Sequence, residues 1–310
     1  MQTSDQYSDI RTRPLLKGST EWVKEGSRVM LFQIPVPSDF SFHETLSAHG
    51  WRRLLPFVWH EGTQTLERAE ETPDGSVVLL RMRDADGMLQ VDIEGEADEA
   101  EMSTRIRRML QLDLPIADFH AYCRTVPHLT SLVENRQGRM LRSSTLWEDT
   151  VKVIATTNTT WVQTIAMSAR LIEQFGAEGR GFPTPQRVAS VSAEEFAAKA
   201  RMGYRSAYVY KIATAIAEGS LDLEAYQDPS LTASQLRKDL IALPGIGPYG
   251  AACLMLYLGR PENVNSDSVA RSQLSRELGR PVTDREVHTF FEVHGQWCGL
   301  IYTFYPWRAK

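Results

Sequence analysis

The stretch from Leu243 to Asp267, LPGIGPYGAACLMLYLGRPENVNSD, contains the strongest indication of the fold in this sequence. The residues just before it, TASQLRKDLIA at 232–242, place apolar side chains on one face of a helix. Leu-Pro-Gly-Ile-Gly interrupts this pattern, Pro248 suits the first turn of a second helix, and Gly259 suits its end. We therefore expect two helices joined by a Gly-x-Gly turn, then a polar loop that ends at an aspartate.

The Gly-x-Gly turn leaves backbone N–H groups free at the start of the second helix. Such donors bind phosphate, and glycine lets the backbone approach it closely. Gly250, Ala251 and Ala252 keep the helix slim enough to pack tightly on its neighbour. On its own, however, such a turn more often belongs to an ordinary helical hairpin.

Asp267 also allows two interpretations. It precedes SVARSQLSREL, a helical pattern, so either Asp267 or Ser266 is a suitable N-cap. A carboxylate at a helix N-terminus is also held in its ionised form, so a capping role is compatible with a catalytic one.

Together, the hairpin and the acid resemble the helix-hairpin-helix (HhH-GPD) DNA glycosylases. In that superfamily the hairpin grips the DNA backbone, and an aspartate after the following loop is catalytic. The resemblance is closest to the 3-methyladenine DNA glycosylase II and 8-oxoguanine glycosylase branches, and motifs cover about residues 140–305. It is carried further by LWEDTVKVIATTNTTWVQTIAMSARLIEQFG at 146–176, GFPTPQRVA at 181–189, MGYRSAYVYKIATAI at 202–216 and GQWCGLIYTFYPW at 295–307.

The resemblance implies an excision reaction with Asp267 as the catalytic residue. Base removal breaks the C1′–N bond of a sugar with oxocarbenium character, which a nearby carboxylate stabilises. The base must also leave the stack and enter a pocket. We expect that pocket to be lined by Tyr249, Cys253, Ser268, Trp297, Tyr302, Tyr305 and Trp161, although burial in the core is the commoner role of any one aromatic residue.

The DNA-binding surface implied by the resemblance combines the hairpin with the turn at 158–160. Asn158 stands where the 8-oxoguanine branch has an asparagine, and this turn is expected to fill the gap that the extruded base leaves. A helix N-cap before WVQTIAM explains the same residues equally well. The expected DNA contacts are Gly245, Ile246, Gly247, Tyr249, Gly250, Asn158, Thr159, Thr160, Ser266 and Arg271.

One departure from the family bears on the reaction subtype. Bifunctional members carry a lysine two residues after the second hairpin glycine, and this chain has Tyr249 there. A phenol cannot form a Schiff base, so we expect a monofunctional hydrolase without lyase activity. The preferred substrate is an alkylated purine such as 3-methyladenine, because an aromatic pocket favours a cationic base. The small Ser268 leaves room for a bulkier base, a modified pyrimidine or an oxidised purine.

The expected cofactor content is small. Three scattered cysteines, Cys123, Cys253 and Cys298, fit neither an iron–sulfur cluster nor a zinc site. The resemblance implies a monovalent cation, Na⁺ or K⁺, on the hairpin carbonyls of Leu243 and Gly245, with no side-chain metal ligands.

The fold class predicted for the whole chain is α+β. Residues 27–34 and the hairpin signals Asp74-Gly75 and Asp86-Gly87 predict an antiparallel sheet with a helix near 42–51. An all-α region follows, and we place the domain limits at 1–113 and 114–310, with the pocket between two helical subdomains. Helices are expected at 97–111, 115–125, 146–155, 161–175, 192–200, 204–218, 232–242, 248–258, 268–279 and 284–305.

The composition limits the remaining possibilities. The chain has 310 residues and a net charge of −5, so bulk charge does not indicate a nucleic-acid partner. No apolar run is long enough to span a bilayer, and the first twenty residues, a short mobile leader, lack a signal core. We expect a cytoplasmic monomer whose partner is double-stranded DNA with a modified base. A non-catalytic helix-hairpin-helix DNA-binding protein is the alternative from another class.

Overall fold

A computed structural model describes residues 29–264 and 266–307 of the chain. The expected leader and the first two residues of the predicted strand at 27–34 lie outside this part. The strands are β1 Val29–Pro35, β2 Phe57–His60, β3 Thr65–Glu71, β4 Val77–Ala85 and β5 Met88–Glu94. The helices are α1 Phe42–Ser47, α2 Glu99–Met109, α3 Ala117–Thr125, α4 Thr130–Glu134, α5 Leu146–Thr156, α6 Trp161–Phe175, α7 Pro185–Ala189, α8 Ala193–Ala200, α9 Arg205–Ala217, α10 Ala233–Ala242, α11 Pro248–Tyr257, α12 Ser268–Leu278, α13 Asp284–Glu292 and α14 Cys298–Phe304.

The strands form one antiparallel sheet in the order β1-β5-β4-β3-β2. The two predicted hairpins are present, with Gly75 and Gly87 at positive φ values of 86° and 84°. Asp86 also has a positive φ, 46°, as the tight β4–β5 turn requires. The α+β class is confirmed. The four-residue β2 was not predicted, because so short a run carries little alternation.

The predicted helices are present, but the short helices α4 and α7 were not predicted and the last prediction needs a correction near the C-terminus. The single helix expected at 284–305 is two helices, α13 and α14. Gly295 lies between them with φ at 57°, a left-handed conformation that ends a helix, and a short 3-10 turn follows. The break redirects the chain, so α14 does not continue the axis of α13.

A buried ionic cluster joins the sheet to the helices. Arg68 of β3 makes a two-pronged contact with Glu148 of α5, at 2.9 and 2.7 Å. Lys152, one turn further along α5, lies 2.7 Å from the same carboxylate. Arg68 also pairs with Glu70, and all four side chains are buried. Removing charges from water is costly, so this junction depends on each charge keeping its partner.

A second buried contact links α5 and α11 to the segment that precedes α5. Asp149 accepts hydrogen bonds from Ser143 N at 2.7 Å and from Trp51 Nε1 at 3.2 Å, and Arg142 lies 3.3 Å away. Arg142 Nη1 in turn donates to the carbonyl of Tyr257, the last residue of α11, at 2.8 Å. Gln111 donates to the same carbonyl at 3.1 Å. The C-terminal end of α11 is therefore held by side chains from outside the helical hairpin.

The apolar core is continuous across the predicted domain limits. One cluster of buried side chains includes Leu80 and Val91 of the sheet, Ile106 of α2, and Ile154 and Leu254 of the helical region. The limits 1–113 and 114–310 stay a prediction. Within the described residues, no helix combines the length and apolarity that a bilayer span needs.

Candidate active site

The predicted hairpin is formed by α10 and α11, and its two glycines differ in conformation and surroundings. Gly245 has φ at 80°, a conformation that side chains disfavour, and a Cβ there would lie 2.6 Å from Cδ2 of Tyr208. Gly247 has an extended backbone, and nothing lies within 4 Å of the position of its missing Cβ. Gly245 is thus required by the turn and by the ring of Tyr208, whereas Gly247 keeps the approach to the helix open.

The N-terminus of α11 has no side-chain cap. Gly247 occupies the N-cap position and Pro248 follows it, whereas a threonine or aspartate side chain caps each of α5, α6, α10, α12 and α13. Gly250 packs against α5, where a Cβ would lie 3.1 Å from Val153 Cγ1. The first N–H groups of α11 are therefore left for another acceptor, as an anion-binding helix end requires.

Asp267 is the N-cap of α12. Its side chain accepts a hydrogen bond from Ala270 N at 2.8 Å, and its backbone is extended. Ser266, the other candidate cap, donates instead to Asp284 at 3.1 Å. The cap holds the carboxylate at the positive end of the α12 macrodipole.

Three predicted pocket residues gather at Asp267. The phenol of Tyr302 is hydrogen-bonded to Asp267, and that of Tyr249 to Cys253, with Asp267 and Tyr302 close by. Burial and the charge of Asp267 raise the pKa of Tyr302. Cys253, partial burial and the Asp267 carboxylate raise the pKa of Tyr249. Both phenols are therefore neutral at pH 7 and can donate hydrogen bonds.

The site is open to solvent at Tyr249. This side chain is 36 % exposed, whereas Cys253 is buried one turn deeper on the same face of α11. Within the described part of the chain, no arginine or lysine forms a salt bridge with Asp267. The carboxylate is thus held by neutral donors, and its charge is available to a positively charged group in the site.

Sequence reasoning missed the deeper wall of this cluster. Tyr257 is buried two turns beyond Tyr249 on α11, and the spacing 249, 253, 257 is the signal that would have found it. Its ring lies 5.4 Å, centroid to centroid, from those of His49 and Trp51. Burial lowers the pKa of His49 to about 4, so its ring is neutral at pH 7. The loop after α1 therefore borders the far end of the α11 face.

Two aromatic residues predicted to line the pocket, Trp297 and Trp161, pack against residues outside the group around Asp267. Trp297 packs 5.6 Å from the ring of Phe119 and lines a small apolar cavity with Leu256 and Leu300. Trp161 lies over Gly50, where a Cβ would come within 2.4 Å of its ring. These contacts do not bring the two tryptophans together with Asp267, Tyr249 and Tyr302, and their place in the base pocket stays a prediction.

Tyr305 belongs to an aromatic cluster behind the site. Its ring lies 5.4 Å from Phe291 and 4.7 Å from Trp307, and Phe291 also contacts Tyr302 at 5.3 Å. This cluster contacts the ring of Tyr302 through Phe291. Tyr305 is therefore placed to buttress the pocket.

The turn between α5 and α6 contains the helix N-cap that was one of its two predicted roles. Thr160 is the N-cap of α6 in a capping box with Gln163, and the Thr159 hydroxyl donates to the same glutamine at 2.7 Å. Asn158 is exposed at the tip with φ at 46°, and its amide lies 3.4 Å from the Tyr204 hydroxyl. Asn158 is thus exposed at the tip of the turn, and the two threonines shape the turn.

Two further predicted site residues, Ser268 for the pocket and Arg271 for DNA contact, lie on α12. Ser268, the first residue of α12, is exposed beside Asp267. Arg271, one turn on, is paired with Asp284 of α13, and this pairing lowers the pKa of Asp284. Asp284 therefore orients the guanidinium of Arg271. A DNA phosphate that binds Arg271 would have to compete with this carboxylate.

The metal and cofactor expectations rest on backbone and cysteine positions. Leu243 O accepts a hydrogen bond from Ile246 N at 3.1 Å, which leaves its second lone pair for a cation. Cys123, Cys253 and Cys298 are buried. No group of three or more potential metal-ligating side chains occurs among the described residues.

Comparison with known proteins places this geometry in a family. Residues 151–297, which span the α5–α6 turn, the hairpin and Asp267, match the model of the HhH-GPD superfamily base excision DNA repair protein. Residues 151–297 belong to the HhH-GPD superfamily. The suspected resemblance is therefore confirmed.

Solved structures share the fold over most of the chain. The apo form of the Clostridium acetobutylicum 8-oxoguanine glycosylase/lyase is 16 % identical with a TM-score of 0.69, over 91 % of this chain and 98 % of that one. The 3-methyladenine DNA-glycosylase of Archaeoglobus fulgidus is 18 % identical with a TM-score of 0.68, over 88 % and 96 %. MBOgg1 in complex with a low-affinity DNA ligand is 20 % identical with a TM-score of 0.69, over 89 % and 97 %. The N-terminal sheet is thus part of the shared fold.

Proposed function

We propose that this protein is a monofunctional DNA glycosylase that acts on double-stranded DNA with a modified base. It extrudes the base and hydrolyses the N-glycosidic bond, leaving an abasic site. The observation that carries the proposal is the placement of Asp267 at the N-terminus of α12, beside Tyr302 and the hairpin residues Tyr249 and Cys253. This placement joins the proposed catalytic acid to the helix that would hold the phosphates.

The proposed reaction uses the charge of Asp267. As the C1′–N bond breaks, its electron pair leaves with the base and the sugar becomes positively charged. The ionised carboxylate stabilises this charge and orients a water molecule toward C1′. The water adds its oxygen to C1′ and loses a proton, and the products are the free base and an abasic sugar.

We propose that strand cleavage does not follow. The position of the lysine in bifunctional members holds Tyr249, whose phenol forms no Schiff base. Burial lowers the pKa of Lys152, but its ammonium is enclosed at the sheet junction, 2.7 Å from Glu148. Lys238 is exposed on α10, on the side opposite the buried Leu236 and Leu240. Neither amine is positioned to act as the nucleophile beside Asp267.

The proposed substrate class is an alkylated purine such as 3-methyladenine. Such a base carries positive charge, and the faces of Tyr249 and Tyr302 attract a cation through their electron density. The hairpin would hold the duplex by backbone N–H groups, with a monovalent cation at the carbonyls of Leu243 and Gly245. Contacts between backbone donors and phosphates do not depend on the base sequence, so the hairpin would bind any duplex.

The experiment that tests the function is incubation of purified protein with duplexes that each carry one modified base. Alkali then converts any abasic site to a strand break. We expect breaks after alkali in the alkylated-purine duplex and intact strands before it. Breaks only in a duplex with a bulkier or oxidised base would move the substrate class toward the room beside Ser268. Duplex binding without release of any base would contradict the catalytic proposal.

The absence of lyase activity needs a separate measurement. Borohydride reduces a Schiff base to a stable protein–DNA adduct. We expect no adduct on a substrate that the enzyme turns over. A trapped adduct would overturn the monofunctional assignment and direct attention to Lys152 and Lys238.

A further inference from the structure

The turn between α5 and α6 is held in place from outside. Asn158 adopts a left-handed conformation, with φ at 46°, which asparagine adopts more readily than most residues other than glycine. It is also exposed, so apolar packing does not fix its orientation. The support comes from the first turn of α9.

Arg205, at the start of α9, is buried, with 7 % of its surface exposed. Its Nε donates to Thr157 O at 3.1 Å, and its Nη2 donates to Thr157 O and, at 3.1 Å, to Asn158 O. Its Nη1 lies 3.5 Å from Met202 O. All three nitrogens of the guanidinium therefore meet backbone carbonyls, two of which belong to the turn.

The same segment touches the hairpin. The guanidinium of Arg205 lies 4.6 Å from the ring of Tyr204, whose hydroxyl meets the amide of Asn158. Tyr204 packs edge-on against Tyr208 at 5.9 Å, and the ring of Tyr208 fills the space beside Gly245. One helical turn of α9 thus contacts both the turn at 157–160 and the proposed phosphate-binding glycine.

We propose that Arg205 is a positioning residue that holds Asn158 ready to enter the gap left by the extruded base. The proposal rests on the proposed function, in which a base leaves the duplex. Four of the five N–H donors of the guanidinium are directed at the backbone carbonyls of Thr157, Asn158 and Met202. We therefore expect its contribution to be the same whichever base stands opposite the gap.

Binding to a duplex that already contains a gap tests this role without any base release. The probes are an undamaged duplex and duplexes with a tetrahydrofuran abasic analogue opposite each of the four bases. In Arg205→Met the preference for the analogue over undamaged DNA should fall about tenfold, equally for all four opposite bases. Arg205→Lys, which keeps the charge but reaches fewer carbonyls, should show a smaller fall. Arg201→Met, an exposed arginine of the same loop, should leave the preference unchanged.

Hydrogen exchange provides a second readout that is independent of DNA. Amides of residues 157–164 should exchange faster in both Arg205 variants than in the wild type and in Arg201→Met. Unchanged preference with unchanged exchange would overturn the proposal. A fall confined to one opposite base would also overturn it and make Arg205 a base reader. A wild-type protein that releases no base, with a preference that still depends on Arg205, would overturn the proposed function and leave the positioning role standing.

Discussion

Glu148 at the junction between sheet and helices and Asp267 in the proposed site are carboxylates with opposite kinds of partner. At the junction, Glu148 is buried between Arg68 and Lys152, and these cations hold the pKa of Glu148 down to about 2. At the site, Asp267 is only half-buried and is met by Ala270 N and the phenol of Tyr302, both neutral donors. A compensated charge stabilises the fold, whereas a carboxylate with neutral partners can respond to positive charge that develops on a substrate.

The largest expected effect is on catalysis, in Asp267→Asn. Asparagine is as good an N-cap as aspartate, so the free energy of unfolding should stay within about 0.5 kcal/mol of wild type. The rate of base release should fall about 10³-fold, as happens when a group that stabilises transition-state charge is removed. Single-turnover release from the best duplex substrate measures the rate, and binding to undamaged DNA is the control. A wild-type rate in the folded variant would contradict the catalytic role.

The next effect is on stability, in Glu148→Gln. Loss of the buried carboxylate leaves Lys152 without an ion-pair partner and Arg68 with Glu70 alone, and the free energy of unfolding should fall by about 3–5 kcal/mol. Denaturant unfolding at pH 7 measures it. The matched control is Glu195→Gln, which breaks the exposed pair with Lys199 and should cost less than about 0.5 kcal/mol. Equal losses in the two variants would show that the buried cluster is no more important than a surface pair.

The pH dependence of the free energy of unfolding, compared between wild type and Glu148→Gln, tests the same carboxylate further. The pKa of Glu148 is lowered from 4.5 to about 2, so the folded state binds its proton more weakly than the unfolded state. Its stabilisation is therefore complete above the ordinary pKa and is lost as the pH falls toward 2. The difference in unfolding free energy between wild type and Glu148→Gln should be constant above about pH 5 and shrink below it. A difference that grows on acidification would contradict the assignment.

A smaller effect separates the two hairpin glycines. Gly245→Ala forces a side chain into a positive-φ position against Tyr208 and should cost about 1–3 kcal/mol. Gly247→Ala meets no atom within 4 Å and should change stability by less than about 0.5 kcal/mol. Affinity for modified and undamaged duplexes should weaken in parallel in Gly245→Ala, measured by titration. Loss for one modified base alone would show that the hairpin reads the base.

The smallest effect is expected for Tyr302→Phe. The substitution keeps the ring on Phe291 and removes one hydrogen bond to Asp267, worth about 1 kcal/mol, so release should slow about fivefold. Tyr122→Phe removes a tyrosine hydroxyl that meets His294 at 2.8 Å, away from Asp267, and should leave the rate unchanged. Equal rates in the two variants would show that Tyr302 only packs.

The sequence predicted features that depend on a few neighbouring residues. The hairpin, the cap at Asp267 and the two tight turns of the sheet follow from glycine, proline and aspartate at fixed spacing. The packing of Trp297 on Phe119 was not predicted, because a residue's type does not reveal which neighbour its side chain will contact. The junction was not foreseen at all, since Arg68 and Glu148 are 80 residues apart and each alone resembles a solvated surface charge.

The carbonyl of Tyr257 has a consequence for how the chain folds. Gln111 and Arg142, which satisfy it, lie outside the segment 151–297 that matches the family. A chain cut down to that segment would leave the last turn of the hairpin helix without these donors. Sheet and hairpin should therefore melt as one cooperative unit, and calorimetry should show a single transition in which no autonomous glycosylase-like fragment survives.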